Sequence, residues 1–142
     1  METKEANPFM KKMIHEKGKQ YYSAILPKEI VRGKVGDCFD YCLAIAVILP
    51  KYRYVEGIAM VNVGTPTAGF IHHAWLTDEE GLVAYDPTWR ADREGIEMPM
   101  PAHYIGVLMH TDKVMEFVTK TEYKAVLENY WRDEELAKSC IC

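Results

Sequence analysis

Residues 36–50 read GDCFDYCLAIAVILP, a mostly apolar run (38–49) between a Gly-Asp pair and a proline. At twelve residues, this run is long for a strand. Apolar side chains occur nearly all round it at helical spacing, which predicts a buried helix. The helix begins at Cys38, so the sequence places a thiol at a helix N-terminus.

The predicted fold class is α+β, with this central buried helix packed on an antiparallel sheet. Strands are predicted from alternating and β-branched apolar residues over 54–63, 70–77, 82–86, 104–109 and 114–118. The acidic turn 78–81 joins the second and third strands in a candidate hairpin. Flanking helices are predicted for 8–17 and 121–138, with a short helical or irregular piece over 21–26.

Length, charge and hydropathy exclude several classes of protein. The 142 residues suit a single domain over 1–142. The net charge is −4 with both signs spread along the chain, so there is no basic face for nucleic acid. The longest apolar stretch, 42–50, is far shorter than a membrane span, and no secretory signal is evident. We therefore expect a cytoplasmic protein without nucleic-acid or membrane partners.

The cysteines occur in two closely spaced pairs, Cys38 with Cys42 and Cys140 with Cys142. Without an export signal, such spacing does not indicate a disulfide framework, and we expect free thiols. Cys42 lies one helical turn after Cys38 and is expected to pack in the core. No cofactor or resident metal is expected.

Cys38, His73 and Asp86 stand in an order that suits catalysis by a thiol nucleophile. A free thiol is mostly protonated at neutral pH, and the N–H groups of a helix N-terminus stabilise its thiolate. A histidine can take the thiol proton, while a carboxylate on its other ring nitrogen fixes the tautomer. His73 and Asp86 lie in adjacent predicted strands, within reach of each other. Strand alternation lets only one of His72 and His73 face the helix, and leaves open which one.

Four short motifs, in this order, resemble the core of the transglutaminase-like superfamily. They are Gly36-Asp37-Cys38, Arg53-Tyr54-Val55-Glu56-Gly57, His73-Ala74-Trp75 and Tyr85-Asp86-Pro87-Thr88, within residues 36–89. The resemblance implies a papain-like fold with a Cys-His-Asp triad in this chain order, in a small single-domain member. The resemblance implies that His73, which precedes Ala74-Trp75, is the triad histidine. It also implies that Asp86 is the third member of the triad.

The same resemblance implies acyl transfer at amide bonds of a protein or peptide substrate, glutamine side chains included. Transglutaminase, deamidase and peptidase activities all use such a triad and stay open. Trp75, Trp89 and His72 are expected to contact substrate. Two alternatives remain, a non-catalytic protein-interaction module on the same scaffold and a zinc site built from Cys38, Cys42 and the two histidines.

Overall fold

The computed structural model describes residues 6–34, 36–61, 64–66, 68–88 and 103–142. Its elements in chain order are α1 (Pro8–Lys17), β1 (Lys19–Ser23), α2 (Cys38–Ile48), β2 (Arg53–Val61), β3 (Gly69–Thr77), β4 (Val83–Ala84), β5 (His103–Leu108), α3 (Thr111–Thr121), a short 3-10 helix (Tyr130–Arg132) and α4 (Glu134–Ser139). The fold is mixed α+β, as predicted. Within the described ranges, no helix combines the length and apolar character needed to cross a membrane.

The sheet has the strand order β3-β2-β5-β1-β4. Strands β2 and β3 pair antiparallel, and so do β2 with β5 and β1 with β5. The predicted antiparallel sheet needs one correction, because β1 and β4 run parallel, with Tyr22 opposite Val83. This parallel pair puts β4 at the edge of the sheet far from β3, although the two strands follow each other in the chain.

The sheet curls until its two edges meet. Directly after β4, Tyr85 pairs with Leu76 of β3 through two backbone hydrogen bonds, of 2.8 and 3.0 Å. The turn at 78–81 allows this return, because the backbone N–H of Gly81 donates to the Asp78 side chain at 2.8 Å and Gly81 has φ +70°. The predicted hairpin is thus reduced to one bridge, but its turn is where the sequence placed it.

Curling divides the apolar side chains into two groups. One fills the inside of the curled sheet: Tyr21, Val55, Ala59, Val61, Ile71, Trp75, Ala84 and Tyr104. The other joins the outer face to the helices, and includes Ala74 and Leu76 of β3 together with Cys42 and Leu43 of α2. Alternation along β3 therefore sends Trp75 inward and Ala74 towards α2.

The N-terminal segment matches its prediction in α1 and departs from it in the next element. The Asn7 side chain accepts from the backbone N–H of Met10 at 2.8 Å, and Pro8 opens the helix. Residues predicted as a helical or irregular piece over 21–26 lie partly in β1 instead. That strand is stabilised by β5 and β4, which are distant in sequence and leave no local signal.

The C-terminal segment departs most from its prediction. The expected strand over 114–118 lies inside helix α3, and the expected helix over 121–138 is reduced to the 3-10 helix and α4. Left-handed backbone at Glu122 and Ala125, with φ of 64° and 63°, ends the helical path. Residues 122–129 instead cross the outer face of the sheet.

A buried carboxylate, Glu56 in β2, holds this segment. It accepts hydrogen bonds from the backbone N–H groups of Val126 at 2.9 Å and Leu127 at 3.0 Å, and from the Tyr54 hydroxyl at 2.7 Å. Burial raises the pKa of Glu56, and the three donors partly offset that rise. The Glu56 carboxylate therefore accepts from the backbone N–H groups of Val126 and Leu127, which in a continuous helix would donate to backbone carbonyls.

We predict that Glu56→Gln lowers the free energy of unfolding by about 2 to 4 kcal/mol, because an amide N–H₂ or a single oxygen cannot satisfy three donors. Denaturant unfolding measures the loss, and faster hydrogen exchange at the Val126 and Leu127 amides locates it. The exposed Glu79→Gln is the matched control and should leave stability unchanged. Equal stability of the two variants would contradict this role of Glu56.

Candidate active site

The candidate nucleophile, Cys38, is the first residue of α2. Its approach loop is fixed by Gly36, whose φ of +93° favours glycine, and by a hydrogen bond from the Gly33 N–H to the Pro87 carbonyl at 2.8 Å. Pro87 follows Asp86, so the loop before the thiol is tied directly to the chain beside the carboxylate. The Cys38 side chain is buried, with 6% of the residue exposed, beside the unpaired amides that begin the helix.

His73 and Asp86 form a buried hydrogen bond of 2.8 Å between Nε2 and Oδ2. Because a carboxylate only accepts, the imidazole donates from Nε2 to Asp86. Cys38 lies near enough to His73 to contribute to its pKa through a hydrogen bond and through its charge. The structure therefore brings the three residues into one hydrogen-bonded row. With Asp86 bound at Nε2, the other ring nitrogen, Nδ1, is the one that a triad assigns to the thiol.

The surroundings of His73 favour the imidazolium. Burial lowers the pKa of His73, but the charge and hydrogen bond of Asp86, with a smaller contribution from Cys38, raise it from 6.5 to about 10. His73 is consequently protonated at neutral pH. A positive charge beside Cys38 stabilises a thiolate, which is the nucleophilic form of cysteine.

Asp86 is almost fully buried, and one of its oxygens serves two donors. Oδ2 accepts from His73 and also from the Tyr104 hydroxyl at 2.7 Å, whereas Oδ1 has no hydrogen-bond partner among the described residues. Sequence reasoning missed Tyr104, which it treated only as the start of a strand. Only the pairing of β5 with β2 and β1 brings it near the site, and no local motif marks that pairing.

The three residues expected to contact substrate have different positions. Trp75 is fully buried, with its ring centroid 5.0 Å from that of Tyr104 and 6.3 Å from that of His73, so it packs beneath the site and has no surface for substrate. The side chain of His72 is 8% exposed, and its Nδ1 lies 3.6 Å from a carboxylate oxygen of Glu128 in the C-terminal segment. Trp89 lies outside the described residues.

Cys42 lies in the core, as expected. Its side chain is fully buried, and its thiol donates to the Ala74 carbonyl at 3.7 Å. Burial, then Asp86 and Cys38, raise the pKa of Cys42 well above its usual value, so this thiol stays protonated. The zinc alternative gains no ligand set, because no group of three or more histidine, cysteine or acidic side chains in the described ranges could hold a metal.

The arrangement can perform nucleophilic chemistry at a carbonyl. A thiol, an imidazolium and a carboxylate follow one another, and helix amides beside the thiol can receive an oxyanion. Comparisons of the chain with protein-family models, with curated proteins and with solved structures gave no match. Geometry and the sequence motifs are therefore the basis for a function.

We predict that iodoacetamide alkylates Cys38 at about pH 6, where unpaired thiols are almost entirely protonated. Cys42 should stay unmodified, because it is fully buried and its pKa is raised. Cys142 is exposed and accepts a hydrogen bond from Arg53 at 3.2 Å, so labelling is mapped by peptide mass in a Cys142→Ser background. Replacement His73→Ala should abolish the reaction at low pH, and persistence of that reaction would contradict the Cys38–His73 pairing.

Proposed function

We propose that this protein is an enzyme that transfers acyl groups from amide bonds, with Cys38 as nucleophile, His73 as proton carrier and Asp86 as its orienting carboxylate. One observation carries the proposal, the buried hydrogen bond of 2.8 Å between Asp86 and Nε2 of His73, with Cys38 close enough to His73 to affect its pKa. The raised pKa of His73 supports it, since catalysis by a thiolate requires a charged imidazole nearby.

The proposed reaction assigns one step to each of these groups. The Cys38 thiolate attacks the amide carbonyl carbon, and the oxyanion that forms is stabilised by backbone N–H groups at the start of α2. The imidazolium of His73 gives its Nδ1 proton to the departing ammonia or amine, which leaves an acyl thioester on Cys38. His73, now neutral, takes a proton from water or a second amine as it attacks the thioester. The carbon–sulfur bond then breaks, which releases the acid or the new amide and restores the Cys38 thiolate beside the imidazolium.

The fold proposed for this chemistry is a transglutaminase-like, papain-like core. Its support is the sequence resemblance over 36–89 together with a helix that begins at Cys38 and packs on the strand carrying His73. The substrate class follows from that resemblance: a protein or peptide that presents glutamine or another amide. Attack by water on the thioester gives deamidation or peptide cleavage, and attack by an amine gives a cross-link.

One observation favours a second candidate, a non-catalytic interaction module on the same scaffold. Cys38 and His73 are each only 6% exposed, which leaves little room for a peptide carbonyl to reach the sulfur. A module that binds partners through its outer surface needs no such access. Turnover measurements separate the two candidates.

We predict that the protein releases ammonia from a panel of glutamine peptides, or joins them to an added primary amine, and that Cys38→Ala abolishes both reactions. Asp86→Asn should slow turnover by roughly 10- to 1,000-fold with little change in thermal midpoint, because the imidazolium loses its counter-charge.

The matched control is Asp78→Asn, at a carboxylate that accepts from a turn amide away from the site. It should leave the rate unchanged. Wild-type turnover in folded Asp86→Asn would remove this carboxylate from the site. Absence of any turnover or thioester across the panel, with Cys38 unmodified, would favour the interaction module.

A further inference from the structure

Tyr104 shares the carboxylate oxygen on which the proposed triad depends. Its hydroxyl donates to Oδ2 of Asp86 at 2.7 Å, and the same oxygen accepts from His73 at 2.8 Å. The other oxygen, Oδ1, has no hydrogen-bond partner among the described residues. All hydrogen bonds that the described residues give this buried carboxylate therefore converge on one atom.

The position of Tyr104 is fixed by the sheet. It lies in β5, opposite Ala59 of β2 on one side and Tyr21 of β1 on the other, and no part of it is exposed. Its ring centroid is 5.0 Å from that of Trp75 and 6.4 Å from that of His73. The Tyr104 hydroxyl is therefore held at Asp86 by an aromatic ring that is packed on all sides.

Two effects on Asp86 follow from this contact. A donor on Oδ2 fixes the rotation of the carboxylate, which sets the direction from which it pulls on Nε2 and hence the direction in which Nδ1 points. A hydrogen bond to a charged group in a buried site also stabilises that charge, by more than the same bond does in water. Both effects keep the imidazolium of His73 aimed at Cys38.

We propose that Tyr104 is a positioning residue of the site: it holds the Asp86 carboxylate in the rotamer that aligns His73 with Cys38. The catalytic role of Tyr104 rests on the proposed function. The contact itself is independent of which acceptor resolves the thioester.

The chain offers two matched controls, each a buried tyrosine. Tyr21 packs against the same Trp75 ring, at 5.7 Å between centroids, but its hydroxyl has no hydrogen-bond partner in the described part of the chain. Tyr54 donates to a buried carboxylate at 2.7 Å as Tyr104 does, but that carboxylate is Glu56, outside the row. Tyr21→Phe measures the loss of a hydroxyl from the same packed cluster, and Tyr54→Phe measures the loss of a hydroxyl–carboxylate hydrogen bond outside the row.

The test uses iodoacetamide alkylation of Cys38 in Tyr104→Phe, Tyr21→Phe and Tyr54→Phe, each in the full chain with Cys142→Ser. At about pH 6, reaction requires the pairing with His73, whereas at about pH 9 most thiols are ionised with or without a partner. Cys42 and Tyr54 have pKa values raised well above the ordinary by burial, so neither titrates between these two pH values. The ratio of the two rates therefore reports the pairing, and the rate at high pH reports access to the thiol.

We expect Tyr104→Phe to lower the rate at pH 6 by about 10-fold and to leave the rate at pH 9 unchanged, since one charged hydrogen bond is lost. Tyr21→Phe and Tyr54→Phe should keep the wild-type ratio. A wild-type ratio in folded Tyr104→Phe overturns the proposal, and so does a rise at both pH values, which indicates a loosened core. If Tyr104→Phe does not fold, 3-fluorotyrosine at position 104 keeps the ring and changes only the acidity of the hydroxyl; an unchanged ratio there also overturns the proposal.

Failure of the proposed function has a different signature. In that case the wild-type protein itself shows no reaction of Cys38 at pH 6, and His73→Ala changes nothing. The outcome for Tyr104 is judged only against a wild type that reacts at pH 6.

Discussion

Two backbone hydrogen bonds between Leu76 and Tyr85, of 2.8 and 3.0 Å, close the curled sheet and determine where Asp86 lies relative to His73. They fix the register in which the chain after β4 lies against β3. Since side chains alternate along a strand, Asp86 then falls on the same face of the sheet as Trp75 and His73. A slip of one residue would turn the carboxylate to the other face and remove it from His73. The row of candidate catalytic groups thus depends on a contact that contains no catalytic side chain.

Among the residues that the structure describes, two carboxylates are buried, Glu56 and Asp86, and their partners give them different properties. The donors to Glu56 in the described part of the chain are neutral, a hydroxyl and two amides, and burial raises its pKa. Asp86 receives a hydroxyl and a histidine ring, and its negative charge raises the pKa of His73 to about 10. The first arrangement satisfies backbone groups and holds a segment in place. The second places a histidine of raised pKa beside the Cys38 thiol.

Local patterns in the sequence predicted the elements that depend on local interactions. The cap Asn7-Pro8 marked α1, the apolar run marked α2 from Cys38, and β-branched residues marked β2 and β3 close to their observed bounds. The failures have a common cause. β1 requires pairing with β5 and β4, and the end of the predicted C-terminal helix requires the carboxylate of Glu56, which is 70 residues away from Val126.

The candidate site was predictable to a similar extent. Motif order indicated Cys38, His73 and Asp86, and alternation alone did not choose between His72 and His73. The structure pairs His73 with Asp86 and directs His72 to Glu128. Tyr104 was beyond sequence reasoning, because its contact with Asp86 exists only once three strands are in register.

Titration of the His73 ring nitrogens by NMR, in protein labelled with ¹⁵N histidine, tests the charge pair most directly. Burial alone lowers the pKa of a histidine, whereas the paired Asp86 and Cys38 raise it. We predict that His73 stays protonated through neutral pH and titrates near 10, and that Asp86→Asn moves its titration to lower pH. Titration of His73 at or below the ordinary value of about 6.5, unchanged in Asp86→Asn, would contradict a thiol activated by this histidine.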